Sequence, residues 1–113
     1  MPSHKTERIA SDIIKYLSTI LLTETNDELM KSITLTDVKV SKDLSYAKVY
    51  FTSILEMSHK DIEKEMKEAA PFLRGKLAKV LEVRNIPELH FEYDETIEYA
   101  TKIERIISKI NND

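Results

Sequence analysis

Several residue types and patterns are absent from this chain. It has no cysteine, which excludes disulfides, thiolate nucleophiles and cysteine-based zinc sites. It has a single glycine, Gly75, and nothing in it resembles a glycine-rich phosphate-binding loop. No apolar run approaches the roughly 20 residues that a membrane span needs, and residues 1–12 lack the apolar core of a secretory signal. These absences predict a cytoplasmic protein with no membrane contact.

Catalytic and metal-binding patterns are also missing. His4, His59 and His90 are isolated, without a neighbour at metal-ligand spacing, and the serines are not set in a nucleophile elbow. The acidic run at residues 92–98 is either a cation site or, more commonly, a solvated edge in which Asp94 caps a following helix. We therefore predict no enzymatic activity, no cofactor and no metal.

The charge is distributed unevenly along what the length predicts to be one domain, residues 1–113. The net charge is −3. Residues 86–113 carry seven acidic and three basic side chains, whereas residues 71–85 carry four basic and one acidic. A polarised surface is expected, with its basic part beginning near residue 71.

The first half of the chain reads as a helix followed by two strands. Apolar residues recur at three- and four-residue spacing between residues 9 and 21, which predicts an amphipathic helix. Residues 32–40 and 45–54 alternate as strands do. The connection between them, "SKDLS", is short and rich in turn-forming residues, so an antiparallel hairpin is expected.

An irregularity is expected within the first of these strands. Ile33 and Leu35 are out of phase with Val38 and Val40, so they would point to opposite faces of a regular strand. The slip occurs near Asp37 and predicts a bulge or a strand end there.

Residues 58–81 read as two helices separated by a proline. Ser58 or His59 begins the first helix, and Pro71 lacks the N–H that a continuing helix would use. Because proline suits the first position of a helix, we predict that one helix ends near Ala69 and another begins at Pro71. The interhelical kink would comprise Ala69, Ala70 and Pro71, and the new helix N-terminus would offer its amides to phosphate.

The pattern ends with a strand at residues 88–94 and a helix at about 95–111. The predicted fold class is α+β, with a three-stranded sheet and helices packed on one face. The order is α-β-β-α-kink-α-β-α, and its strand–helix–helix–strand core is the arrangement of KH domains.

Three stretches together resemble the ribosome-binding factor A family, assembly factors of the bacterial small ribosomal subunit. They are "ERIASDI" (7–13), "VKVSKDLSYAKVYFTS" (38–53) and "LRGKLAKVLEVRNIPELHFEYDETIEYATKI" (73–103). The similarity extends from about residue 5 to residue 107, and its motifs are specific in combination rather than singly.

The resemblance implies a type II KH-like fold and binding to small-subunit rRNA during late maturation. It further implies rRNA processing, adaptation to cold, and a monomer that joins free or precursor subunits rather than translating ribosomes. The family replaces the GxxG loop of ordinary KH domains with an Ala-x-Gly kink. Proline stands at the glycine position of that kink here.

Phosphate contacts require lysine and arginine side chains, and the cluster that follows Pro71 is the first candidate. The alternative is that these cations have no binding role and form the solvated side of an amphipathic helix. Tyr46 and Tyr50 could stack on RNA bases. For Tyr50 the alternative is that it packs on the uncovered face of the sheet. A different function, protein–protein interaction through the acidic C-terminal helix or an exposed sheet edge, also stays open. The candidate RNA-binding residues are Lys5, Arg8, Lys42, Arg74, Lys76, Lys79 and Arg84.

Overall fold

The computed structural model describes residues 4–81, 83 and 85–96 of the chain. The last helix, expected at about residues 95–111, lies outside the described residues except for its first two positions. The elements are α1 (His4–Thr23), α2 (Glu28–Lys31), β1 (Ile33–Val40), β2 (Tyr46–Ser53), α3 (His59–Ala78) and β3 (Glu88–Tyr93).

Helix α1 forms where the apolar spacing predicts it, and its apolar stripe supplies one wall of the core. The short helix α2 was not predicted, because its four residues are too few to show a period. Asp27 caps α2 by accepting a hydrogen bond from the Leu29 N–H at 2.8 Å. The buried residues of α1 are Ile9, Ile13, Leu17, Ile20 and Leu21.

Strands β1 and β2 pair as an antiparallel hairpin, and the predicted bulge is confirmed. The pairing register shifts between Leu35 and Asp37, so the intervening Thr36 is the extra residue. Leu35 pairs with Phe51, and after the shift Val38 pairs with Val49. The bulge therefore corrects the phase slip and turns both apolar parts of β1 toward the core.

Strand β3 lies parallel to β2, which gives a mixed sheet in the order β1-β2-β3. The connection between β2 and β3 contains α3, as parallel neighbours require a crossover. Helices α1 and α3 both contribute to the core that covers one face of the sheet. The buried, core-facing side chains of β2 and β3 are Ala47, Val49, Phe51, Leu89, Phe91 and Tyr93.

The prediction of two helices around Pro71 is wrong. Ser58 caps α3 as expected, by accepting a hydrogen bond from the Asp61 N–H at 3.1 Å, but the helix then continues to Ala78. Ala69, Ala70 and Pro71 lie inside one helix rather than between two. The helix N-terminus expected at residues 71–74 is therefore absent, and it cannot bind phosphate.

Tertiary packing explains why α3 continues through a proline. Proline removes one backbone donor and crowds the carbonyl four residues earlier, here that of Lys67. Pro71 itself faces solvent, whereas the turns on either side bury apolar side chains in the same core. That shared burial outweighs the local cost of the proline. The buried residues of α3 are Ile62, Met66, Ala69, Leu73 and Leu77.

The α+β fold class is confirmed, with its three-stranded sheet and its helix–strand–strand–helix–strand order. Within residues 4–81, 83 and 85–96, no helix is long and apolar enough to cross a membrane.

Candidate nucleic-acid interface

Two adjoining clefts bring the start of α1, the β1–β2 hairpin and the segment after α3 together. The first is lined by Lys5, Arg8 and other α1 side chains, and by Val80 and Leu81 just beyond α3. The second shares Lys5 with the first and is also lined by the hairpin and the loop that leads into β3. Segments distant in sequence thus form one continuous surface.

The hairpin tip is held by a dense set of hydrogen bonds around Asp43. Its carboxylate accepts from the hydroxyls of Ser41 and Ser45, both at 2.7 Å, and from the Ser45 N–H at 3.1 Å. These bonds, that of Ser41 foremost, hold the pKa of Asp43 below its ordinary value. Leu44 adopts the left-handed conformation, with φ of 61°, and its side chain lines the second cleft. The tip is a defined structure that presents the exposed Lys42.

Arg74 has a structural role that the sequence did not predict. Its Nη2 donates to the Ile86 carbonyl at 2.7 Å, and its Nε donates to the Ile86 and Pro87 carbonyls at 3.2 and 3.3 Å. The guanidinium therefore fastens the loop that precedes β3 to helix α3. Because Nε and Nη2 both donate to backbone carbonyls, Arg74 is a weaker candidate for phosphate binding than its place in the sequence indicated.

Lys76 and Lys79 differ in their surroundings. Lys76 lies 3.8 Å from a carboxylate oxygen of Glu24 and 5.7 Å from the ring centre of Phe72, and its side chain is 31% exposed. Lys79 is the C-cap of α3 and is exposed, with no ion pair or side-chain hydrogen bond in the described part of the chain. Lys79 immediately precedes Val80, which lines the first cleft, so it stands at the border of that cleft.

Three of the seven candidate residues, Lys5, Arg8 and Arg74, line the clefts, and the exposed Lys42 and Lys79 each adjoin a lining residue in sequence. Because Arg74 holds the loop before β3, we call the other four residues the basic surface. Asp12 lines the first cleft and partly offsets its positive charge. Arg84 lies outside the described residues, and Arg74 and Lys76 have the other contacts given above. The basic surface consists of Lys5, Arg8, Lys42 and Lys79.

The uncovered sheet face carries rings and charges of both signs. Tyr46 is 47% exposed and meets His90 edge-on, with ring centres 5.5 Å apart. Tyr50 is partly buried on this face, as one interpretation of the sequence expected, with the Lys39 ammonium 5.6 Å from its ring centre. Lys48 pairs with a carboxylate of β3, so the face has no net basic character.

His59, at the start of α3, has a partner that lies far from it in the sequence. His59 Nδ1 lies 2.8 Å from a Glu95 carboxylate oxygen, and the His59 ring stacks on Tyr93 with ring centres 3.7 Å apart. No pattern in the sequence connects these residues, because the contact with Glu95 spans 36 positions. Among the described residues, no group of three or more His, Asp or Glu side chains is placed to hold a metal ion.

Asp94 has the local hydrogen bonding of a helix N-cap, and the helix expected after it lies outside the described residues beyond Thr96. It accepts from the Thr96 N–H at 2.9 Å and from the Thr36 hydroxyl at 2.6 Å. The Thr36 bond is the main cause of a pKa below the ordinary value for Asp94. This acidic residue is thus engaged in the fold.

An exposed aromatic on α3 was missed by the analysis of the sequence. Phe72 is 49% exposed, beside the buried Leu73. The signal that could have revealed it was its position off the apolar stripe that Leu73 and Leu77 share.

The fold and its cation-lined clefts define an α+β domain of the KH-like class, and comparisons with known proteins agree. The family model for ribosome-binding factor A matches residues 5–107. A ribosome-binding factor A from Pelobacter propionicus is 41% identical over 109 residues, which cover 96% of this chain and 89% of that protein. The chain belongs to the ribosome-binding factor A family.

Solved structures of similar fold come from the same family. The crystal structure of ribosome-binding factor A from Thermus thermophilus aligns with a TM-score of 0.68 at 22% identity, covering 78% of this chain and 94% of that one. A homology model of the Thermus thermophilus factor, fitted into a cryo-EM map of its complex with 30S, aligns with a TM-score of 0.55 at 24% identity. That alignment covers 74% of this chain and 92% of the other.

Proposed function

We propose that this protein binds the small ribosomal subunit through rRNA and acts there as an assembly factor. The observation that carries the proposal is the convergence of cations from three distant segments on one surface. Lys5 and Arg8 come from α1, Lys42 from the hairpin tip and Lys79 from the end of α3. Lysine and arginine side chains on a firm scaffold are what the phosphate backbone of RNA requires.

Two further observations support the proposal. The Thermus thermophilus member of the family has been placed in a complex with 30S, the small bacterial subunit. In addition, hydrogen bonds hold both the hairpin and the loop before β3, so that Lys42 and its neighbours keep a fixed geometry. A preformed surface loses less conformational entropy on binding than a mobile one does.

The finer parts of the proposal follow from the family. The protein joins free or precursor small subunits during late maturation and assists rRNA processing, which matters most for growth in the cold. It acts in the cytoplasm as a monomer and is not an enzyme.

Cosedimentation tests the proposal directly. Small subunits purified from cells that lack this protein are centrifuged with it through sucrose gradients at two salt concentrations. We expect the protein in the small-subunit peak and its loss at the higher salt. About four phosphate contacts predict a log–log slope of affinity against salt of roughly −3 to −4.

A quadruple variant, with Lys5, Arg8, Lys42 and Lys79 changed to glutamine, should bind weakly and with a flatter slope. The matched control changes Lys60, Lys64 and Lys67 on the first half of α3, which removes similar charge from another surface. Absence of the wild type from the peak at low salt would contradict the proposal. RNA-independent binding that salt barely affects would instead indicate a protein partner.

A further inference from the structure

The three phenylalanines of the chain have very different environments. Phe51 and Phe91 are 0% and 1% exposed in the core, whereas Phe72 is 49% exposed on the solvent side of α3. Exposed phenylalanine gains little from burial, so its ring is available to a partner.

Gly75 has no role within the fold that explains its presence. It lies in the interior of α3, where glycine is less stable than alanine. Its φ is not in the left-handed region, and a Cβ added there would meet nothing within 4 Å beyond the helix itself. Among residues 4–81, 83 and 85–96, neither a turn nor close packing requires it. Glycine at this exposed position does, however, leave the backbone open to close approach by a partner.

Phe72, Gly75 and Lys76 lie in a stripe along the outer side of α3, and the C-cap Lys79 follows on the same side. Their spacing of three, four and seven residues places them on the same side of the helix. Lys76 is near the Phe72 ring, and residues 71–79 contain three cations and no acid. Glu68 begins the acidic part of the stripe one turn before Phe72. An aromatic ring, a bare stretch of backbone and cations form a combination that suits single-stranded nucleic acid.

We propose that this stripe is a docking site for an unpaired rRNA nucleotide. Its base stacks on the Phe72 ring, its sugar–phosphate backbone passes over Gly75, and Lys79 contacts the phosphate. Lys76 forms the edge of the site, with its ammonium near both the Phe72 ring and the Glu24 carboxylate. The site extends the basic surface along α3, and it rests on the proposed function.

The absence of tryptophan from the chain makes a clean reporter available. Phe72→Trp keeps an aromatic ring and introduces the only tryptophan. We expect its fluorescence to be quenched by a short oligouridylate, whose bases stack little on one another. Ile54→Trp, at a position 87% exposed on the loop after β2, is the control and should show little quenching. Equal quenching of both reporters, or of neither, would overturn the proposal.

Binding to small subunits provides the second measurement. Phe72→Ala and Phe72→Leu should each weaken binding about 5- to 100-fold without changing the salt slope, because stacking releases few counterions. Phe72→Trp should retain binding. Gly75→Ala should weaken binding while leaving the domain at least as stable to heat, which separates a docking effect from misfolding.

The outcomes separate this proposal from the one on which it rests. If the wild type binds subunits and all Phe72 and Gly75 variants bind equally well, the docking site is wrong and the proposed function stands. If the Phe72 variants weaken subunit binding but RNA does not quench the fluorescence of the Phe72→Trp variant, the stripe contacts a ribosomal protein. The nucleotide proposal is then overturned. If the wild type does not bind subunits, the proposed function itself fails.

Discussion

The two halves of α3 bury the same kind of residue but present different chemistry to solvent. On the core side, Ile62 and Met66 in the first half correspond to Leu73 and Leu77 in the second, and all four are 0% exposed. On the outer side, residues 59–70 carry three lysines and four acidic residues, whereas residues 71–79 carry three cations, no acid and an exposed phenylalanine.

The comparison shows that one helix can pack against the core along its whole length while the chemistry of its outer side changes midway. Mixed charges on the first half support the helix locally, as in the 2.9 Å ion pair between Glu63 and Lys67. The second half has no acidic partner of its own in the sequence. Arg74 in this half holds the loop before β3 and Lys76 pairs with Glu24, so the exposed Phe72 ring and Lys79 are the groups that we propose for binding a partner.

The largest effect is expected where the two halves are alike. Leu77→Ala should lower the free energy of unfolding by about 2–5 kcal/mol, because it leaves a cavity in the core. Urea denaturation measures this change. Phe72→Ala, five residues away on the outer side, is the control and should change stability by about 0.5 kcal/mol or less. A similar loss in both variants would mean that the outer side also packs.

The proline at the boundary should have the next largest effect. Pro71→Ala restores a backbone donor for the Lys67 carbonyl and removes a steric clash, so we expect a gain of about 1–3 kcal/mol. Thermal unfolding and urea denaturation both report it. Destabilisation by this substitution would show that α3 requires the shape that proline imposes, and that the two halves differ in backbone geometry as well as in chemistry.

The first half should also respond to acid. The Lys67 ammonium, and then the Tyr93 N–H, hold the pKa of Glu63 below its ordinary value of 4.5. Because the pKa is lower in the folded than in the unfolded chain, this contribution is present above pH 4.5 and is lost as the pH falls further. Glu63→Gln should cost about 0.5–1 kcal/mol at neutral pH and should make stability less sensitive to acid. Stability curves for the wild type and the variant, measured from about pH 3 to about pH 7, check this expectation.

The smallest stability effects, and the clearest functional contrast, should come from single surface lysines. Lys67→Gln and Lys79→Gln should each change stability by about 0.5 kcal/mol or less. Only Lys79→Gln should reduce the salt slope of subunit binding, by about 1. Equal effects on the slope would place both halves of α3 in the interface and remove the distinction between them.

Local periodicity was sufficient for most of the elements. The stripe of α1, the alternation of β2 and β3 and the phase slip in β1 all report burial within one element, so the bulge at Thr36 was predictable in position. The helix break predicted at Pro71 is absent. The preference of proline for a helix start is a local effect, and packing of the flanking turns against the core overrides it.

The candidate site was less predictable than the fold. Cations can be counted in a sequence, but their partners lie across the tertiary structure. Arg74 bonds to carbonyls 12 and 13 residues away, which turns a predicted phosphate contact into a brace. Lys5 and Lys42 belong to one surface only because the start of α1 meets the hairpin tip.

By itself, the sequence determined the fold class, the order of the three strands, the family and the concentration of positive charge after residue 71. Each of these depends on residue type and spacing, which are properties of the chain. The tertiary structure decided that α3 is continuous, that Arg74 faces backbone, that Phe72 faces solvent and which cations share a surface. Those outcomes depend on which distant atoms exclude water or complete a hydrogen bond, and only the folded chain brings those atoms together.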